Sequence, residues 1–241
     1  MRPLLALALL PFATACHSSW GDNKGTKIEA SGTGTSRSFA ATGFTGVALK
    51  SSDDVDVRTG AAFSVTAEGD PAVLDQLDIR LDDKTLNVGR KTKAGMFWDK
   101  SGGAKIHVVL PRLTDATVAG SGTMLVDRAE GAFDGVVAGS GDLRLVSVAA
   151  QSASLSIAGS GNITLAGRAD KMDVSVAGSG DLQGQQFTAG SADISIAGSG
   201  SVRANVPGHA SVSILGSGDV ELRGGAKCEV SKMGSGDVKC S

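Results

Sequence analysis

Apolar residues recur at every second position in short bursts along this chain, and the bursts recur at a nearly fixed distance. Val174 and Val176, Ile194 and Ile196, and Val212 and Ile214 stand four and two residues before a glycine. Leu143 and Leu145, Ile163 and Leu165, and Val220 and Leu222 stand four and six residues after the equivalent glycine. Alternation at period two, rich in β-branched residues, predicts strands with one buried face. The glycine that sets this register opens a Gly-Ser-Gly tripeptide that occurs seven times. The glycine pairs are Gly120 and Gly122, Gly139 and Gly141, Gly159 and Gly161, Gly178 and Gly180, Gly198 and Gly200, Gly216 and Gly218, and Gly234 and Gly236. Successive copies lie 19, 20, 19, 20, 18 and 18 residues apart. A period of this length marks a solenoid, in which no single coil can bury its own apolar face. Each coil is predicted to run strand, Gly-Ser-Gly corner, strand, then a looser return. Glycine suits the corner because it reaches positive φ without steric cost, and the second glycine is expected to hold that conformation.

A short polar residue follows each corner: Thr123, Asp142, Asn162, Asp181, Ser201, Asp219 and Asp237. Such side chains bond to nearby backbone N–H groups at turns. Stacking would set them in a column at about 4.8 Å intervals, with Asn and Ser diluting the repulsion between carboxylates. On the other side of the corner, the outward position three before the first glycine holds Ser156, Ser175, Ser195, Ser213 and Ser231. The position one before holds Ala119, Ala138, Ala158, Ala177 and Ala197. This predicts a flat ladder of small side chains, either a plain solvent face or a docking surface.

The first residues do not join this pattern. Arg2, the apolar run Pro3 to Phe12, and Ala13-Thr14-Ala15 before Cys16 read as a bacterial lipoprotein signal occupying residues 1–15, with Cys16 lipidated. Ala13 stands where leucine is usual, and the alternative is an ordinary secretory signal cleaved near Ala15. The run is too short to span a membrane. Residues 16–39 are rich in Ser, Gly and Thr and are predicted to be a flexible tether. Beyond them, Val47, Leu49, Val55 and Val57 flank Ser51 to Asp54 as a coil that has lost its glycines, with Asp54 at the short polar position. Asp70-Pro71 predicts a helix start, with one or two turns to Leu77. Asp82 to Lys84 is a tight turn between two alternating segments, and Lys91 to Gly103 is an exposed loop around Met96, Phe97 and Trp98. One elongated domain over residues 40–241 is expected, with irregular coils at 40–113 and regular coils at 114–241. A division into two domains near Leu113 is the alternative.

Composition narrows the chemistry. Aromatic residues make up 4% of the chain, Tyr is absent, and 34 of 241 residues are Gly. Such a composition suits a narrow interior filled by Val, Ile, Leu and Ala better than a wide globular core. The net charge of −2 offers no footprint for nucleic acid. His17, His107 and His209 lie on a tether, a strand and a loop, so no corner serine has a companion base. No His/Cys pair shows zinc-ligand spacing. One carboxylate per corner falls far short of the six to eight oxygens calcium takes, so the Asp column reads as turn capping. No metal and no cofactor are expected. Cys228 and Cys240 flank the last corner; in a secreted chain they predict a disulfide, the alternative being two small buried thiols.

The run Val-Ala-Gly-Ser-Gly-Asp-Leu at 176–182 with its variants, and Phe44-Thr-Gly-Val-Ala-Leu with Asp54-Val-Asp-Val upstream, resemble the family described as "putative auto-transporter adhesin, head GIN domain". The resemblance covers about residues 40–241. It implies an all-β, right-handed parallel β-helix-like solenoid on a secreted or surface-anchored bacterial protein. It carries no catalytic motif to transfer, and the family's name points to adhesion. The expectation is a non-enzymatic, extracytoplasmic and lipid-anchored solenoid at the cell envelope, on the outer membrane. Its partners would be the membrane and an envelope protein or glycan. A structural spacer and a polysaccharide-active enzyme are the rival readings.

Overall fold

The computed structural model describes residues 25–91 and 102–241. The signal segment, Cys16 and the Met96–Trp98 stretch lie outside the described residues. In the amino-terminal part the strands are β1 (Thr26–Lys27), β2 (Ala30–Ser31), β3 (Ser36–Phe39), β4 (Gly46–Leu49), β5 (Asp54–Thr59) and β6 (Ser64–Glu68). A one-turn helix α1 (Pro71–Leu74) precedes β7 (Leu77–Asp82), β8 (Thr85–Arg90) and β9 (Lys105–Leu110). The coils continue as β10 (Asp115–Val118), β11 (Thr123–Val126), β12 (Ala129–Gly139), β13 (Asp142–Gly159), β14 (Asn162–Gly178) and β15 (Leu182–Gly198). The last coils comprise β16 (Ser201–Asn205), β17 (His209–Gly216), β18 (Asp219–Arg223), β19 (Lys227–Met233) and β20 (Val238–Cys240).

These strands build a β-solenoid of about seven turns. Equivalent residues stack in parallel register: Val174 pairs with Ile194, Val176 with Ile196, and Ile194 with Val212. The alternating residues that define the pattern are buried, and one apolar core runs from Phe39 to Leu222 through Leu113. The return expected to be loose is itself strand. β13 and β14 run unbroken from one corner to the next, and register shifts, such as that between Leu145 and Val148, mark where they bend. The bend keeps backbone groups paired between coils, which a buried loop could not do.

The coil without glycines, β4 and β5, holds the place the register predicts. Leu49 pairs with Val118 and Asp54 with Thr123. Its neighbour on the other side is not the preceding chain but the later one, since β4 pairs with β8 and β5 with β9. The coil of residues 46–59 is therefore inserted between two coils that follow it in sequence. At this end the ladders turn antiparallel: β7 and β1 extend from β8, while β6, β3 and β2 extend from β9. Residues 26–39, predicted as part of the tether, thus contribute three short strands. Their pattern is invisible in sequence because β1 and β2 expose every residue; backbone pairing recruits them, with Phe39 as the buried anchor. The helix is shorter than the two turns allowed. Asp70 caps it through a 2.8 Å bond from the Ala72 amide, and Leu77 already belongs to β7.

Candidate functional site

The corner is the most repeated local structure, and stacking demands glycine at both of its positions: a Cβ on Gly139, Gly159, Gly178, Gly198, Gly216 or Gly234 would overlap the carbonyl oxygen of the first glycine one coil earlier. From Gly139 on, it is the first glycine that lies at positive φ, between 130° and 139°, at Gly139, Gly159, Gly178, Gly198, Gly216 and Gly234. This corrects the expectation that the second glycine holds the left-handed conformation. The second glycine is required by stacking: a Cβ on Gly141, Gly161, Gly180, Gly200, Gly218 or Gly236 would overlap the carbonyl oxygen of the second glycine one coil earlier. Gly120 and Gly122 meet Ser51 and Asp53 in the same way.

The short polar residues do form a column, but they act between coils rather than within a turn. The Asp142 carboxylate accepts a 3.0 Å bond from the Asn162 amide group, and the Asn162 side-chain oxygen accepts from the Asp181 backbone N–H at 3.4 Å. Asp181 accepts from the Ser201 backbone at 2.9 Å, and Asp219 accepts from the Asp237 backbone at 2.9 Å. Asn162, Asp181 and Asp219 thus cap backbone amides of the next coil, while Asp142 bonds the Asn162 side chain. Among the described residues no group of three or more His, Cys, Asp or Glu side chains converges as a metal site.

At the place of a second glycine the 46–59 coil carries Asp53, which is fully buried. Arg90 donates to both Asp53 oxygens, at 3.0 and 2.5 Å, while the Ala104 backbone and the Ser51 hydroxyl donate at 2.8 and 2.7 Å. Burial raises the Asp53 pKa, but the bonds from Arg90, Ala104 and Ser51 outweigh burial and hold it below the usual carboxylate range. Sequence reasoning missed this pair; Arg90, the last residue of an alternating strand, was its one signal.

The outer face of the strands preceding each corner is the surface best suited to binding. Ser156, Ser175, Ser195, Ser213 and Ser231 stack there in register. Beside them runs a column five residues before each first glycine: Asp115, Asp134, Ser154, Asp173, Asp193, Ser211 and Glu229. That acidic column could have been read from the same register as the serines. Lys171 bridges two of its members, at 3.1 Å from Asp173 and 3.3 Å from Asp193. Asp134 has a raised pKa, from partial burial first and the stacked Asp115 charge second. A shallow groove of about 320 Å³ lies over Ser156, Asp173, Ser175, Asp193, Ser195 and Ser213. The face thus offers hydroxyl donors, carboxylate acceptors and small methyl groups at regular spacing. It brings no acid and base together around one reacting point: His107 stands 3.8 Å from Asp56 on another strand pair, and His209 opens β17.

At the carboxy-terminal end Cys228 and Cys240 are joined, with Cα atoms 6.5 Å apart. Lys232, stacked on the buried Ile214, turns away from the core and donates to the Gly236 carbonyl at 2.7 Å.

Stacked coils with Gly-Ser-Gly-Asp corners place this protein among β-solenoids. The chain belongs to the family described as "Putative auto-transporter adhesin, head GIN domain", which matches residues 43–226. A "putative adhesin" from Bacteroides fragilis is similar in structure, with a TM-score of 0.76 at 18% identity, covering 86% of this chain and 96% of that one. A "putative lipid binding protein" from Parabacteroides distasonis has a TM-score of 0.65 at 22% identity and the same coverage. A "putative adhesin" from Parabacteroides merdae has a TM-score of 0.65 at 18% identity, over 86% of this chain and 95% of that one. At these identities the likeness concerns the fold. No protein of curated function matches the chain. Among the described residues no helix is long and apolar enough to cross a membrane.

Proposed function

We propose that this protein is a non-enzymatic binding module, held outside the cytoplasm by a lipid on Cys16, that acts in adhesion or cell-envelope contact. The observation that carries the reading is the outer Ser/Asp face, unbroken across successive coils and grooved over Asp173, Ser175, Asp193 and Ser195. Hydroxyls and carboxylates at fixed spacing match the donors and acceptors of a repeating glycan better than those of a compact metabolite. The family description and the adhesin-named structures support adhesion.

Retention of purified protein on immobilised envelope polysaccharides and on isolated outer membranes tests the reading. Ser175→Arg with Ser195→Arg should abolish retention while leaving the melting temperature within about 2 °C, since both residues face solvent. Equal retention of parent and variant would remove the face from consideration, and shortening of the polysaccharide would favour an enzyme. The anchor is tested separately: Cys16→Ser should move the protein from the membrane fraction to the soluble fraction, and unchanged fractionation would refute lipidation.

A further inference from the structure

The last coil differs in kind from those it covers. In the coil before it, Val212, Ile214, Val220 and Leu222 are at most 2% exposed. Among the described residues of 224–241, only Gly236 is buried, and Val230 is 46% exposed. The last coil therefore gains little from apolar burial, while its presence closes the interior of its neighbour. Two ladders, β19 on β17 and β20 on β18, and the Cys228–Cys240 link hold it in place. The edges also contrast. β19 carries Lys227, Glu229 and Lys232, the kind of charge that protects an open strand from pairing. β17 beneath it reads His-Ala-Ser-Val-Ser-Ile-Leu-Gly, with no Asp, Glu, Lys or Arg. The match to the family ends at residue 226, just before β19.

We propose that residues 224–241 are a redox-released end cap: reduction of Cys228–Cys240 detaches the coil and bares β17 as an edge that pairs with β17 of a second copy. Cys240 is exposed, so a reductant has access. A dithiol transfers two electrons and two protons; the S–S bond breaks, two thiols form, and the dithiol closes to its own disulfide. Without the cross-link, the 12-residue separation between the cysteines regains its loop freedom, and the poorly buried coil frays. The uncharged β17 then presents free N–H and C=O groups beside uncovered Val212 and Ile214, while β18, bared in the same step, keeps the guarding charges of Asp219, Glu221 and Arg223. A second copy offers the same strand, which self-association across a two-fold axis satisfies.

Hydrogen exchange and sedimentation of the folded chain, with and without dithiothreitol, test this. Amides of 227–233 and 238–240 should exchange at least tenfold faster on reduction, while those of 142–198 stay protected, and the reduced protein should sediment as a dimer. Cys228→Ser with Cys240→Ser should behave as the reduced form without reductant. Adding Ser213→Lys to that pair should restore the monomer and keep the fast exchange. Unchanged protection on reduction would overturn the cap, as would loss of protection through 142–198 in the same step. A reduced monomer with a frayed coil would overturn the pairing of β17.

Discussion

Replacing Arg90 by Met isolates the buried carboxylate at the junction between the irregular and regular coils. Asp53 is fully buried and accepts four bonds, two of them from Arg90. In Arg90→Met the Ser51 and Ala104 donors remain, but the charge loses its counter-ion. Breaking a buried pair from one side costs about 3–5 kcal/mol, and the two surviving bonds place this case near about 3. In a chain of this size each kcal/mol moves the melting temperature by about 2–4 °C, so a fall of about 6–12 °C is expected by calorimetry. The pH dependence adds a second reading. Asp53 titrates below its usual range in the folded chain, so the unfolded chain takes up the proton first as pH falls. Its stabilisation is fully present above the unfolded value of about 3.9 and is lost as pH drops through the lower folded value. Asp53→Asn should therefore flatten the acid limb of the stability curve. A melting temperature for Arg90→Met within 2 °C of the parent would refute the claim that this pair holds the corner together.

Gly161→Val should destabilise by about 1–3 kcal/mol through overpacking, because its Cβ meets the Gly141 carbonyl and lies 2.6 Å from Val137 Cγ1; an unchanged denaturation midpoint would contradict the stacking role. Asn162→Ala removes one bond to Asp142 and one from the Asp181 backbone, and urea denaturation should show a loss of about 1–2 kcal/mol. Asp134 has a raised folded pKa, so its charge disfavours folding above that value, with relief as pH falls; Asp134→Asn should raise the melting temperature slightly at pH 7, with the gap closing in acid. Lys232→Val removes an end-protecting charge and should increase light scattering on storage while leaving the melting temperature unchanged.

By itself the sequence determined the coil. Valine, isoleucine and leucine at alternate positions around a Gly-Ser-Gly repeat admit one arrangement in which every burst is buried, and the register of Ser51 on Gly120 followed from it. Buried faces leave a periodic trace because each coil must meet the same neighbour at the same height. Tertiary structure decided what that periodicity does not encode. Which glycine turns left-handed depends on the path of the chain, and the need for glycine at both positions comes from carbonyl oxygens one coil away. The column from Asp142 to Asp237 looked like a set of local turn caps, yet its partners are amides about one coil distant in sequence. Residues 26–39 read as a tether because β1 and β2, edge strands exposed on both faces, leave no alternation to detect. The insertion of the 46–59 coil between later coils, and the Asp53–Arg90 pair that this position accommodates, arise from contacts between segments with no shared period. Local repetition is written in the order of residues, but the way an array begins and ends is fixed only when its strands find their edges.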